Sequence, residues 1–389
     1  MYYTVREKAS VFFRVSDGSE YRVLAYSATS GGRRLPPGTP IPSRDPSVVW
    51  KLSPLSGTIR PMNDKTYAMA RLKEACAKKG PLCVGLDTDP SYLPPEVLRM
   101  YPNAAEAVLA YNRALVAACA PHAACFKVQI AYYEAMGLAG LKAYAETLKA
   151  VRAAGIPAIA DVKRGDIADT AKAYARAHFE GDFEADIVTL NPYMGFETLE
   201  PFLEYVERSG KGAFVLLRTS NPGMKDIEWL ELAGSATGSG PAARVLDAVG
   251  KEPIRVLDAV GSGLSEIGKR FGDFTASGCA PFGAVVGCTE EADARALRDR
   301  YPGLFFLIPG YGAQGGAARI AATLLDRAGG TVNSSRAILT AWKKDPALEI
   351  PMKSGSLTLD SIVESASRAA FAATADLLGA KKLLSEGAR

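Results

Sequence analysis

Histidine is nearly missing from this chain, with His122 and His178 the only two among 389 residues. A histidine-based catalytic triad or a multi-histidine metal site therefore has little to draw on. The six cysteines (76, 83, 119, 125, 279 and 288) form no CxxC pair. A zinc cluster is not expected, and the reduced thiols of a cytoplasm are the default. No apolar run approaches the roughly 18–20 residues a membrane helix needs. The opening MYYTVREKASVFFRVSD mixes charge into its apolar stretch and does not read as a secretory signal. With 48% hydrophobic, 23% charged and 8% aromatic residues, the composition is ordinary for a globular protein and excludes a mainly disordered, collagen-like or coiled-coil chain.

The formal charge of +4 is unevenly placed. Residues 1–61 carry nine basic and four acidic side chains, whereas the other 328 residues carry 37 and 38. The body of the chain is electrostatically bland, so no nucleic-acid groove is expected. Seven of the 24 prolines lie between Ser27 and Pro61, which reads as irregular chain. Val11–Val15 and Tyr21–Tyr26 could pair as a short hairpin around Asp17-Gly18. We read 1–61 as a poorly structured, disposable extension, with a docking segment as the alternative, and 62–389 as the functional domain.

From Met62 onward, apolar runs alternate with helical patterns. The expected strands are Leu82–Leu86, Cys125–Gln129, Ala158–Val162, Ile187–Leu190, Ala213–Leu217, Ala284–Gly287, Leu304–Ile308 and Thr331–Asn333. Amphipathic stretches lie at Glu134–Ala154, Ala168–His178, Glu290–Arg300 and Ala317–Ala328, with a closing helix around Ser361–Leu378. Asn63 or Asp64 could cap a helix running through Leu72 to Lys78 that closes the bottom of the fold. Continuous apolar strands separated by helices imply buried parallel strands. Eight of them point to an α/β protein, a (β/α)8 TIM barrel, with an open doubly wound sheet as the main rival. The string RVLDAVG occurs at 244–250 and again at 255–261, a local duplication to which we assign no function.

The densest polar text is ADVKRGDIADT, residues 160–170. Asp161 and Lys163 stand two apart at the end of a buried strand, so simple alternation points both to one side, the active-site mouth of a barrel. Asp166 follows in the loop. Lys127, in the neighbouring strand CFKVQ, can converge on them into an alternating array Lys127–Asp161–Lys163–Asp166. A lysine held between carboxylates stays protonated and, in a dry site, can act as a general acid or stabilise a carbanion. The loop PGYGAQGG (309–316) follows the seventh strand and so fails the dinucleotide reading. There, the Gly-rich turn with Gly312 and Gly315 suits a phosphate cradle, to which Arg336 adds a charged fork. Ser220, in RTSNPG, could donate to a heterocycle, and Asp87, in GLDTDP, could bind sugar hydroxyls.

Taken in order, GLDTDP, FKVQIAYYEAMG, ADVKRGDIADT, LNPYMGFETLEPF, TSNPG, GAVVGCT, PGYGAQGG and VNSSR resemble the orotidine 5′-phosphate decarboxylase family, above all its longer bacterial branch. The resemblance covers roughly 62–380, and residues 1–61 and the RVLDAVG duplication depart from it. It implies a carboxy-lyase that converts orotidine 5′-monophosphate to uridine 5′-monophosphate in pyrimidine biosynthesis, as a cytoplasmic homodimer without metal or organic cofactor. By the matching positions, Lys163 protonates C6 and Asp161 sits against the substrate carboxylate. Lys127 positions Asp161 and the ribose, and Asp166 reaches the partner's site, with Thr170 beside it at the ribose. Ser220 contacts the base, while Gln314 and Arg336 hold the phosphate. The competing readings are a metal-dependent sugar-phosphate relative on the same barrel and a catalytically silent phosphate-ligand-binding barrel. Every proposed barrel strand and site residue lies beyond Met62, so deleting 1–61 is expected to leave turnover and melting temperature nearly unchanged. A fall in Tm of more than about 5 °C, over about 1 kcal/mol, would show that the segment packs on the domain.

Overall fold

The computed structural model describes residues 9–11, 24–26, 67–232, 254–271, 278–311 and 317–387. The chain divides into two compact units, Met1–Arg60 and Pro61–Arg389. In the first, Ala9–Val11 pairs antiparallel with Leu24–Tyr26, with Ala9 opposite Tyr26. The pairing thus uses residues two positions before the expected first strand, and the Asp17-Gly18 turn lies outside the described residues.

In the second unit, eight parallel strands close into a barrel: β1 Leu82–Gly85, β2 Cys125–Gln129, β3 Ala158–Arg164, β4 Ile187–Leu190, β5 Gly212–Arg218, β6 Gly283–Val286, β7 Phe305–Ile308 and β8 Gly330–Ser334. β8 pairs with β1 and so seals the ring. The principal outer helices are α1 Ala68–Lys79, α2 Ala104–Cys119, α3 Gly137–Ala153, α4 Ala168–Phe179, α5 Glu200–Ser209, α6 Val256–Gly268, α7 Glu291–Arg300, α8 Ala317–Leu324 and α9 Leu359–Gly387. The strands are apolar on both faces because one face meets these helices and the other fills the barrel. Outward residues such as Val84, Phe126, Ala160 and Val332 join the helix-facing core, whereas Cys83, Cys125, Ile159, Ile187, Phe214 and Phe305 form a separate inner cluster.

That inner cluster is the floor of the site. Phe214 and Phe305 meet at 6.3 Å between ring centroids, and Met69 and Leu72 of α1 plug the cluster from below. α1 begins at Ala68 with Tyr67 as its N-cap and no side-chain cap, and the expected caps Asn63 and Asp64 lie outside the described residues. The expected helix over 134–154 forms as α3 but starts three residues late: a short helix Ile130–Glu134 ends where it was to begin, and Gly137 takes a left-handed φ of 67° at the junction.

The second RVLDAVG copy is described and supplies the N-cap and first turns of α6, the helix of the β5-to-β6 crossover. Asp258 Oδ2 accepts from both the backbone N–H and Nε of Arg255 at 3.1 Å, capping the start of α6, and Asp258 also binds Arg300 at 2.5 Å. A side chain at Gly261 would meet the Tyr301 ring at 2.3 Å, so glycine is required there. The first copy lies outside the described residues.

Candidate active site

The inward positions one step above the apolar floor carry the chemistry. Along β2, β3, β4 and β8 the inward pairs read Cys125 then Lys127, Ile159 then Asp161, Ile187 then Thr189, and Thr331 then Asn333, as strand alternation requires. These upper residues line a cavity of about 980 Å³ together with Asp87, Lys163, Ser220, Tyr311 and Arg336. Leu216, Val285, Leu307 and Pro309 make its apolar wall.

Four charges alternate along the cavity floor. Lys127 Nζ donates to Asp87 Oδ1 at 3.0 Å and to Asp161 Oδ2 at 2.8 Å, and Lys163 Nζ donates to Asp161 Oδ1 at 2.7 Å. Burial alone would raise the Asp161 carboxyl, but Lys127 and Lys163 outweigh it and hold it well below the usual carboxylate range. Burial likewise works against the Lys127 ammonium, and Asp161 and Asp87 overcome it and push that group above the ordinary lysine range. The Lys127 side chain is 6% exposed and that of Lys163 45%, so the first is anchored within the array and the second is open to the cavity.

The array differs from the expected one in its fourth member. Within one chain, Asp87 takes that place, and the Asp166 carboxylate accepts from its neighbour Ile167 N at 2.8 Å, away from the cavity lining. Thr170 lies exposed in the first turn of α4. Simple alternation also fails at Lys163. Its φ of 44° is left-handed and the β3–β4 register slips between Ala160 and Arg164. This bulge lets Lys163 turn back onto Asp161. Ser220 and Arg336 line the cavity as expected, whereas Gly312, Gln314 and Gly315 lie outside the described residues.

Thr189 was not among the expected site residues. Its hydroxyl donates to Asp161 Oδ1 at 2.9 Å and accepts from the backbone N–H of both Val162 and Lys163 at 2.9 Å, fixing the bulge. The signal was present, because a threonine in the buried run IVTL at an inward position needs a polar partner. Arg218 and Glu228 were also missed. Buried Arg218 binds Asp293 and the Gly287 carbonyl, while Glu228 accepts from Thr219 N and Oγ1, so the loop bearing Ser220 is held at both ends. Among the described residues, no cluster of three His, Cys, Asp or Glu could hold a metal. Both histidines are structural: burial and Arg164 push His178 down to about 4, and His122 packs edge-on against Phe371.

The sequence profile of the orotidine 5′-phosphate decarboxylase / HUMPS family matches residues 80–349. The chain belongs to this family. It is 48% identical over 274 residues to the orotidine 5′-phosphate decarboxylase of Clostridium perfringens, spanning 70% of this chain and 88% of that one. It is 49% identical over 275 residues to the Clostridium botulinum protein of the same name, spanning 70% and 89%. Among solved structures, Leishmania donovani OMP decarboxylase matches with a TM-score of 0.50 at 28% identity, covering 76% of this chain and 98% of that one. The Plasmodium berghei decarboxylase matches with a TM-score of 0.57 at 17% identity over 76% and 98%, a likeness that carries the fold alone. The TIM barrel expected from the strand count is thus the barrel of the orotidine 5′-phosphate decarboxylase family, and β1 through β8 all lie inside the matched span.

The depressed Asp161 carboxyl has a signed consequence for stability. A carboxylate lowered in the folded state stabilises fully above its unfolded value, near 3.9, and loses that contribution as pH falls further. Asp161→Asn should therefore unfold more easily than wild type by a constant margin from about pH 5 to 8. Below about pH 4 the margin should narrow by up to about 1.4 kcal/mol per pH unit. Denaturant melts across this range check it, and a margin unchanged down to about pH 2 would mean Asp161 is not held ionised by its lysines.

Proposed function

We propose that this protein decarboxylates orotidine 5′-monophosphate to uridine 5′-monophosphate and CO2, the last step of de novo UMP synthesis, without a cofactor. The observation that carries this reading is the Asp87–Lys127–Asp161–Lys163 array, set on the floor of a nucleotide-sized cavity with Ser220 and Arg336 on its walls. The chemistry asks for one proton delivered to carbon and for destabilisation of one carboxylate. Asp161 lies against the substrate carboxylate, and like charges in a desolvated site repel. The C6–carboxylate bond breaks, its electron pair stays on C6, and CO2 leaves. The Lys163 ammonium stabilises that pair and transfers its proton to C6, after which solvent restores the lysine. Asp161 sheds its repulsion as the carboxylate becomes neutral CO2, so the gain is realised in the transition state.

Remote groups supply the binding that holds this arrangement together. Arg336, beside the Tyr92 and Tyr132 hydroxyls, and Gly312, Gln314 and Gly315 take the phosphate, while Ser220 contacts the base. Asp87 and Lys127 meet the ribose. Asp166 and Thr170, which one chain leaves outside its own cavity, serve the site of a partner in a homodimer; Ile167 beside them is 53% exposed and Tyr193 81%, apolar surface available for that contact. No helix among the described residues is long and apolar enough to cross a membrane. We place the reaction in the cytoplasm, with no membrane or nucleic-acid partner.

Two experiments test the proposal. Loss of orotidine 5′-monophosphate absorbance should proceed unchanged in EDTA, and Lys163→Ala should lower turnover at least about a thousandfold while the barrel stays folded, as circular dichroism checks. Complete inhibition by chelator would favour the metal-dependent relative. Mixing inactive Lys163→Ala with inactive Asp166→Ala chains should regenerate activity, since one site of a hybrid dimer is intact. No recovery, with subunit exchange verified, would assign Asp166 to its own chain's site.

A further inference from the structure

Asp87 is gripped from two sides, and only one of them is Lys127. Ser335 Oγ donates to Asp87 Oδ2 at 2.7 Å, and Asn333 Nδ2 donates to Ser335 Oγ at 3.0 Å. Below them, Cys83 Sγ donates to Asn333 Oδ1 at 3.5 Å. Cys83 and Asn333 are register partners on β1 and β8, so this chain of donors crosses the seam that closes the barrel.

We propose that Ser335, oriented by Asn333, is a positioning residue that fixes Asp87 for the sugar of the substrate. The proposal rests on the decarboxylase reading above and adds a residue to it. Its logic is proton counting. A serine hydroxyl has one proton. Because the Asn333 amide gives a hydrogen to Ser335 Oγ, that proton is free to point at the carboxylate. The Asn333 carbonyl is in turn occupied by the Cys83 thiol, and burial pushes that thiol well up, so it remains a donor. Every link therefore runs one way, from Cys83 through Asn333 and Ser335 to Asp87, and meets Lys127 coming from the opposite side.

The backbone is shaped around this relay. A side chain on Gly85 would place its Cβ 1.9 Å from Ser335 Oγ and 2.8 Å from Asn333 Oδ1. Glycine is thus needed at the end of β1 for a reason of packing, since it leaves the room in which the hydroxyl sits. Asp87 itself stands in the loop beyond β1 and is 21% exposed on its side chain. With Lys127 alone, one carboxylate oxygen would be held and the other left to rotate. With both donors, the carboxylate plane is set and its remaining lone pairs face the cavity, where a ribose hydroxyl can donate. Ser335 also precedes Arg336, so one short segment sets both the sugar acceptor and the phosphate fork.

The test is a double-mutant cycle in the full-length protein, with Ser335→Ala, Asp87→Ala and the double variant. Turnover of orotidine 5′-monophosphate and calorimetric binding of UMP and of 2′-deoxy- and 3′-deoxy-UMP are the readouts. Ser335→Ala should lower kcat/KM about tenfold and shrink the preference for UMP over at least one deoxy analogue. In the Asp87→Ala background the same change should cost less than about twofold. Additive losses, or an unchanged deoxy preference, would make Ser335 merely structural and overturn the proposal while leaving the decarboxylase reading intact. If wild type does not turn over the substrate, that reading fails, and the cycle is decided on UMP binding alone; absence of UMP binding sinks both.

Discussion

A lysine buried to 6% exposure survives only if its charge is answered, and Lys127 is answered twice, by Asp87 and Asp161. The rest of the site follows from that constraint. Two carboxylates around one ammonium leave a surplus negative charge, and Lys163 arrives from a bulged strand to balance it. Thr189 holds the bulge. Because the ions are mutually paired, the low-dielectric setting that strengthens them also keeps them ready for substrate without reorganisation. On the proposed reading the same pairing has a cost that a substrate carboxylate would expose: both lysines beside Asp161 are already engaged, so a second negative charge there would be unwelcome until it departs as CO2.

The barrel turns this electrostatic arrangement into geometry. Each strand contributes an apolar residue to the floor and, two positions on, a polar residue to the cavity, so Lys127, Asp161, Thr189 and Asn333 stand on a packed base. Phe214 and Phe305 fill that base, and α1 caps it from beneath, which keeps water from reaching the array from below. Loops then supply what strands cannot. The Ser220 loop is tied down by Arg218 and Glu228, and the segment after β8 brings Ser335 and Arg336 to the rim. Placement of the chemistry at the C-terminal ends of the strands is the general habit of this fold.

How much of this could be read from the sequence depended on which force set each feature. Strands buried on both faces announce themselves as continuous apolar runs, and all eight lay where those runs predicted, within two residues at either end. The charges of ADVKRGD stood out because ions at the end of an apolar strand need a purpose. What stayed hidden was long-range pairing and local irregularity. Nothing near Asp87 in sequence indicates that Lys127, forty residues on, is its partner, and nothing near Ser335 indicates Asp87 at a separation of 248. The left-handed Lys163 and the left-handed Gly137 at the start of α3 violate the periodicities on which reading by pattern relies. Thr189 was legible in principle, as a hydroxyl facing the interior of a buried strand, yet its three hydrogen bonds became visible only when β3 and β4 were side by side.

The central claim is that Asp161 opposes the substrate carboxylate in the ground state and that this opposition is relieved as CO2 forms. Its most direct measurement is the affinity for orotidine 5′-monophosphate relative to UMP in a chain silenced by Lys163→Ala, compared with the same chain carrying Asp161→Asn as well. Repulsion predicts that neutralising Asp161 tightens orotidine 5′-monophosphate by about tenfold or more, about 1.4 kcal/mol, while UMP changes by no more than about threefold. If both nucleotides shift together, or if orotidine 5′-monophosphate binds more weakly without the Asp161 charge, the carboxylates do not oppose one another and the account is wrong.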